Sequence, residues 1–376
     1  MEHYLDNAAT TKPCAEAAAA VMSCISAHYG NPSSLHRKGL EAQHEVEYAR
    51  NQIAGALGCK AQEIVFTSGA TESSNLAIRG AAAAYGRKRK KIVASAVEHA
   101  SVKATLSYLE TLGFTVVTVP PAADGEYHTE DFLREIDSSV CLVSMMLVNN
   151  ENGCRLPVEN VFRMVKRNDP EIITHCDAVQ GFLKIPFKPR TLCADLVSVS
   201  GHKVHALKGV GALYIRHGVR VKPILCGSEQ ERGLRPGTES VPLIASFGAA
   251  TEKLSLNIEE RLERVSQLRS SLIAQLREMD GVIVRDIEGA SPYVLNISLL
   301  GYRSEIVLHY LEQREVYVSS GSACSKGASS GVLELFGAKP AEVDSALRIS
   351  FCAENTEEDI AALVQGLRDA QKELMH

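Results

Sequence analysis

Apolar positions follow two rhythms along this chain. Short β-branched runs at 63–67, 91–95, 115–119, 140–145, 172–176 and 195–200 have the composition of strands. Residues 71–84, 101–112 and 158–166 carry helical spacing between them. Strands that alternate with helices predict βαβ units around a mostly parallel sheet. Only a short turn separates 195–200 from the run at 211–216, so that pair is predicted antiparallel, since a parallel return needs a longer crossover. Further on, Leu254, Ile258, Leu262, Val265, Leu268, Leu272 and Leu276 form one apolar stripe with charges opposite. That spacing predicts one long amphipathic helix. It leads toward a second group of elements, with strands near 282–284, 294–298 and 346–351 and helices near 304–313 and 356–374.

The chain has 376 residues and is 45% hydrophobic, enough for a large core and more than one domain. A net charge of -5 argues against a nucleic-acid partner held by phosphate contacts. The one basic run, Arg87 to Lys91, reads as a solvated helix end. Ten cysteines are scattered without a CxxC pair, so no metal is expected and a reducing cytoplasmic setting is. No apolar leader and no membrane-length apolar run are visible.

Chemistry-bearing residues gather where predicted strands end, the place where open α/β sheets bind ligands. Ser200-Gly-His-Lys203 follows one strand and Asp177 follows the strand before it. A lysine and a carboxylate so placed suit pyridoxal phosphate: the amine forms a Schiff base and the carboxylate keeps the pyridine nitrogen protonated. Lys203 can also be read as an exposed loop lysine, and Lys208 is the competing candidate. Thr67-Ser-Gly-Ala-Thr71 opens a helix after a strand, either as an anion cradle or as a plain helix cap by Ser68 or Thr71. His99 is a ring-stacking candidate or a structural histidine. Asn150 is a carboxylate binder or a turn residue. Asp177 and Gln180 admit cap and surface readings as well. Arg348, on an alternating stretch, is a carboxylate clamp or an edge charge. Of the 13 residues from Ser319 to Gly331, 11 are Gly, Ala or Ser, a linker-like composition. Cys324 lies inside it beside Lys326, a setting that favours an exposed thiolate, with a harmless surface cysteine as the alternative.

Taken in order, the segments Tyr4-Leu-Asp-Asn-Ala-Ala-Thr-Thr11, Tyr29-Gly-Asn-Pro-Ser-Ser34, Thr67 to Glu72, Glu98-His99, Val148-Asn-Asn-Glu151, Asp177-Ala-Val-Gln180, Ser200 to Lys203, Arg235-Pro-Gly-Thr238 and Ser319 to Cys324 resemble the cysteine desulfurases. These are the NifS-like branch of the class V, fold-type I pyridoxal phosphate enzymes. The resemblance implies a large cofactor-binding domain at 13–250, with a mostly parallel sheet covered by helices. It implies a smaller α/β domain from 1–12 together with 251–376, carrying the Cys324 loop. It gives Lys203 the cofactor imine and proton transfer, Asp177 the ring nitrogen, Gln180 the phenolic oxygen and His99 the ring face. Ala70, Thr71, Ser200 and His202 surround the phosphate, and Thr238 reaches it from the other subunit of a homodimer. Asn150, Arg348, Asn31 and His36 approach the substrate. The implied reaction takes sulfur from L-cysteine, leaves L-alanine, and loads a persulfide on Cys324 for a sulfur-acceptor protein in iron–sulfur assembly or thiolation. A selenocysteine lyase, a class V aminotransferase and a non-catalytic scaffold are the rival readings.

Overall fold

The computed structural model describes residues 1–320 and 331–374. Cys324 and Lys326 lie outside the described residues. The chain enters through β1 (His3–Tyr4), α1 (Ala15–Ser26) and α2 (Arg37–Leu57). It then alternates through β2 (Ile64–Thr67), α3 (Ala70–Tyr85), β3 (Lys91–Ser95), α4 (Ala100–Thr111), β4 (Thr115–Val119), α5 (Thr129–Arg134), β5 (Val140–Met146), α6 (Val158–Asn168) and β6 (Ile173–Asp177). After β7 (Leu196–Ser200) and β8 (Gly211–Ile215) come α7 (Val241–Ser255) and α8 (Ile258–Arg277). The last part holds β9 (Val282–Arg285), β10 (Val294–Leu299), α9 (Ser304–Glu312), β11 (Val316–Tyr317), β12 (Ser319–Ser320), α10 (Val332–Leu335), α11 (Pro340–Asp344), β13 (Ala346–Ser350) and α12 (Glu357–Glu373).

Seven strands form the main sheet in the order β2-β8-β7-β6-β5-β3-β4. Its pairs are parallel except those made by β8, which runs antiparallel to both β2 and β7, as the short turn before it requires. Strand residues alternate between two apolar cores. Ile64, Phe66, Val197, Ala212 and Tyr214 face one core, which α1, α2, α6 and α7 cover. Val65, Leu196, Leu213 and Ile215 face the other, covered by α3 and α4. Both faces are therefore buried except at the edge strand β4, which explains why the inner strands read as continuous apolar runs.

The second sheet has the order β12-β13-β10-β9 and is antiparallel throughout. Its core joins Leu5 to residues between Val265 and Leu367. The single helix predicted from the stripe at 254–276 is divided. Leu254 ends α7 in the large core, whereas Val265, Leu268, Leu272 and Leu276 of α8 lie in the second core. Asn257, at φ -137 and ψ 48, breaks the helical path between them, and Leu256 is exposed. The stripe is continuous in spacing but serves two cores, so the backbone turns between them.

Candidate active site

The carboxyl ends of β2, β3, β5, β6 and β7 open onto a cleft of about 760 Å³. Ala70, Thr71, His99, Asn150, Asp177, Gln180, Ser200, His202, Lys203 and Arg348 all line it. Residues that lie far apart in sequence meet there because parallel strands end on the same side.

Lys203 follows β7 on a single 3-10 turn, Gly201–Lys203. Its Nζ donates to the carbonyls of Ala8 (2.6 Å) and Ala9 (2.7 Å). It is half-buried, whereas Lys208, which also lines the cleft, is exposed. Asp177 closes β6 and is buried, with Oδ1 accepting from the Val179 N–H at 3.0 Å. Burial raises the Asp177 carboxyl, against the opposing pull of His99, the Val179 N–H and Lys203. His99 caps α4: its Nδ1 accepts from the Ser101 N–H at 3.1 Å. The neutral ring therefore carries its proton on Nε2. Burial lowers the His99 ring, partly offset by Asp177, so the neutral form is favoured.

The anion-binding corner is built from backbone. Thr67 pairs with Gly211, and a Cβ on Gly211 would stand 2.7 Å from the Gly69 backbone. That close approach needs glycine and holds the turn that starts α3. Gly69, not Ser68 or Thr71, is the cap residue of α3, and no side chain caps it. First-turn N–H groups and the positive end of the helix dipole thus remain available to an anion. Ser200 Oγ is buried and has no hydrogen-bond partner among the described residues. Burial, with Lys203 next in weight, lowers His202 to about 4, so it lines this corner as a neutral imidazole.

Arg348 lies on β13, between β12 and β10, and so is not on a sheet edge. It is 7% exposed. One guanidinium nitrogen donates to the Asn150 carbonyl (3.1 Å), another to Asp6 Oδ1 (2.9 Å), and Nε has no partner among the described residues. The second sheet thereby places a cation at the mouth of the first sheet's cleft.

Across this geometry, the aminotransferase class-V family model matches residues 3–363. The chain belongs to that family. It is 38% identical to a cysteine desulfurase of Trichormus azollae over 96% of this chain and 91% of that protein. A solved NifS-like protein superposes with a TM-score of 0.94 at 35% identity, covering 100% of both chains. A structure described as SspA in complex with cysteine matches at a TM-score of 0.81 and 30% identity, over 95% of this chain and 100% of that one. The chain therefore stands in the cysteine desulfurase branch of the class-V aminotransferases, with their fold-type I architecture.

Three of the residues expected from the sequence do not line this cleft. Thr238 is exposed, on a loop tied down by Gly237 N–H donating to Gln230 Oε1 (3.1 Å). Asn31 and His36 are exposed too. Asn31 Oδ1 accepts from Ser33 N–H, and His36 Nδ1 accepts from Gly39 N–H at the start of α2. Conversely, sequence reasoning passed over Glu98 and Lys184. Glu98 is fully enclosed, bonded to Ser95 Oγ and accepting from Met146 N–H (2.6 Å), and burial raises it to about 8. Its sequence signals are an acid beside an apolar strand end and its place in the Glu98-His99 segment, in which Glu98 itself was given no role. Outside the cleft, His205, Cys352 and Glu354 place ligand-type atoms within 4.8 Å of one another. The surroundings oppose a metal ion there. Lys184 and Lys253 add positive charge around His205, and burial pushes the Cys352 thiol up to about 12. His205 Nε2 lies 3.6 Å from Glu354 Oε2, and burial favours the neutral His205 ring.

Proposed function

We propose that this chain is a cysteine desulfurase that works with pyridoxal phosphate and shares its sites across a homodimer. The cleft's own chemistry fits the cofactor. It offers an uncapped helix start and an unsatisfied Ser200 Oγ for a phosphate, and a buried carboxylate for a cationic ring nitrogen. A cation beside Asp177 reverses the burial effect and keeps the carboxylate ionised. Bound pyridoxal phosphate supplies an electron sink for bond breaking at the substrate α-carbon.

The chain's residues then have separable tasks. Lys203 holds the cofactor and moves the proton at the substrate α-carbon. Its placement against two carbonyls fixes Nζ at the floor of the cleft. Arg348, anchored by Asp6 and the Asn150 carbonyl, receives the substrate carboxylate. Neutral His99 offers a flat face and no competing charge. L-cysteine leaves as L-alanine, and the Cys324 thiolate retains the sulfur as a persulfide for a sulfur-acceptor protein. Thr238 is assigned to the partner's cleft, and Asn31 and His36 to the neighbourhood of the substrate. The division into 13–250 and 1–12 with 251–376 belongs to the same reading, and the grouping of Leu5 with the second core supports it.

The observation that carries the proposal is the convergence of Lys203, Asp177, His99 and Arg348 on one cleft. Its test is mass spectrometry of the protein after treatment with pyridoxal phosphate and L-cysteine. One added sulfur on Cys324, absent in Lys203→Ala, is expected. Alanine production without sulfur on Cys324 points to a lyase, and amino-group transfer to a keto acid points to an aminotransferase.

A further inference from the structure

The turn after β6 buries a cation that neither the fold nor the reaction just described calls for. Lys184 lies four residues past Gln180, within the apolar run Gly181-Phe-Leu-Lys-Ile-Pro-Phe187, and is 6% exposed. An ammonium so placed is expensive unless it is answered. Among the described residues no carboxylate pairs with it. Its Nζ donates to Gln180 Oε1 at 3.0 Å and stands 5.7 Å from the centre of the Tyr293 ring. Gln180 in turn donates Nε2 to the Ala8 carbonyl at 2.9 Å. The same carbonyl accepts from Lys203 Nζ at 2.6 Å. A chain of contacts therefore runs Lys184, Gln180, Ala8, Lys203, from behind the cleft to its floor.

A glutamine amide can be turned over, exchanging oxygen for nitrogen. Here two neighbours forbid the exchange. A lysine that donates must face the oxygen, and a carbonyl must face the nitrogen. Burial, with Lys203 and Arg348 nearby, lowers Lys184 to about 7, but the neutral amine still donates. The Ala8 carbonyl still requires the nitrogen, so the orientation of the amide survives titration of the lysine. Nε2 has two hydrogens; Ala8 takes one and the other is left for a ligand in the cleft.

We propose that Lys184 is a positioning residue that locks the Gln180 amide with its Nε2 toward the cleft, where it donates to the phenolic oxygen of bound pyridoxal phosphate. The inference rests on the proposed cofactor. A donated hydrogen bond stabilises the phenolate and lowers the pH at which the bound cofactor changes its visible absorption. Lys203, Arg348, Cys352, Tyr293, His202 and His205 also face Lys184 and bias that pH, so the test isolates the route through Gln180.

The test compares holoprotein of the wild type, Lys184→Met, Gln180→Ala and the double variant by absorption-monitored pH titration. Lys184→Met is expected to raise the midpoint by about one pH unit. In the Gln180→Ala background the same change is expected to move it little. An equal shift in both backgrounds, or none in either, overturns the proposal. The lock is also read without cofactor, in apoprotein labelled with 15N-glutamine. Narrow Gln180 side-chain resonances in the wild type should shift and broaden in Lys184→Met, and unchanged resonances overturn the lock. Lys184→Gln serves if the methionine variant does not fold, and the wild-type resonances, which must titrate with the lysine, serve if neither does. A wild type that acquires no visible band rejects the cofactor reading instead, and the apoprotein resonances still decide the lock.

Discussion

The two ends of the seven-stranded sheet treat charge differently. At the amino ends, charges are closed into pairs. Arg89 meets Asp169 (2.6 Å) and Glu171 (2.9 Å), and Lys91 meets Asp137 (3.0 Å) and Glu135 (3.3 Å). Asp195, before β7, sits between Lys166 and Arg216, the latter at 2.6 Å. At the carboxyl ends, ionisable groups are held by backbone instead: Asp177 by the Val179 N–H, Lys203 by two carbonyls, Glu98 by the Met146 N–H. Main-chain contacts of this kind fix where each group stands at the cleft end of the sheet. The first arrangement is what stability asks for, and the second is what chemistry on a bound ligand asks for.

Variants at the two ends should therefore separate cleanly. The largest effect is expected for Lys203→Ala, with desulfuration lost by about 10³-fold or more and thermal stability of the apoprotein little changed. A stability loss in place of an activity loss would dissolve the contrast. At the other end, Asp195→Ala removes the carboxylate that stands between Lys166 and Arg216. It should destabilise by roughly 3 kcal/mol in chemical denaturation, with activity per folded molecule retained. Arg348→Lys tests whether the second sheet supplies a fork to the first. KM for L-cysteine should rise about tenfold, near 1.4 kcal/mol, while cofactor uptake is unchanged. A fall in kcat alone would move Arg348 from substrate binding to some other task.

The smallest expected effect concerns Glu98. Burial raises its pKa to about 8, above the ordinary carboxylate range. Between that range and 8 the folded chain keeps a proton that the unfolded chain has released. Its contribution to stability is thus full in acid and is lost as pH rises through about 8. Glu98→Gln, which cannot ionise, should flatten the decline of Tm across that window. Parallel Tm profiles for the two chains would show that Glu98 is already charged in the fold.

Much of this was legible in the sequence, for physical reasons that differ by region. The strands of the main sheet other than the edge strand β4 are buried on both faces, and the apolar and β-branched runs mark β2 through β8 to within a residue or two. α1 and α2 were not legible. The first is alanine-rich with no side-chain cap, and the second is polar overall with a sparse stripe at Val46, Ile53 and Leu57. The break between α7 and α8 was hidden because both helices carry the stripe. In the site, side chains at strand ends could be read as such: Thr71, His99, Asn150, Asp177, Ser200, His202 and Lys203. The Ala8 carbonyl could not, since a main-chain oxygen that meets Gln180 and Lys203 from far along the chain leaves no mark in the sequence. Lys184 lies in an apolar run with no motif to mark it. Thr238, Asn31 and His36 rest on resemblance, because the cleft does not contain them.

The central claim is a covalent bond between Lys203 and the cofactor aldehyde. Borohydride reduction of the protein with pyridoxal phosphate, followed by peptide mapping, tests it directly. The account predicts a pyridoxyl group on Lys203 and none on Lys208 or Lys184. A label on either of those lysines, or on no lysine in the cleft, would contradict it.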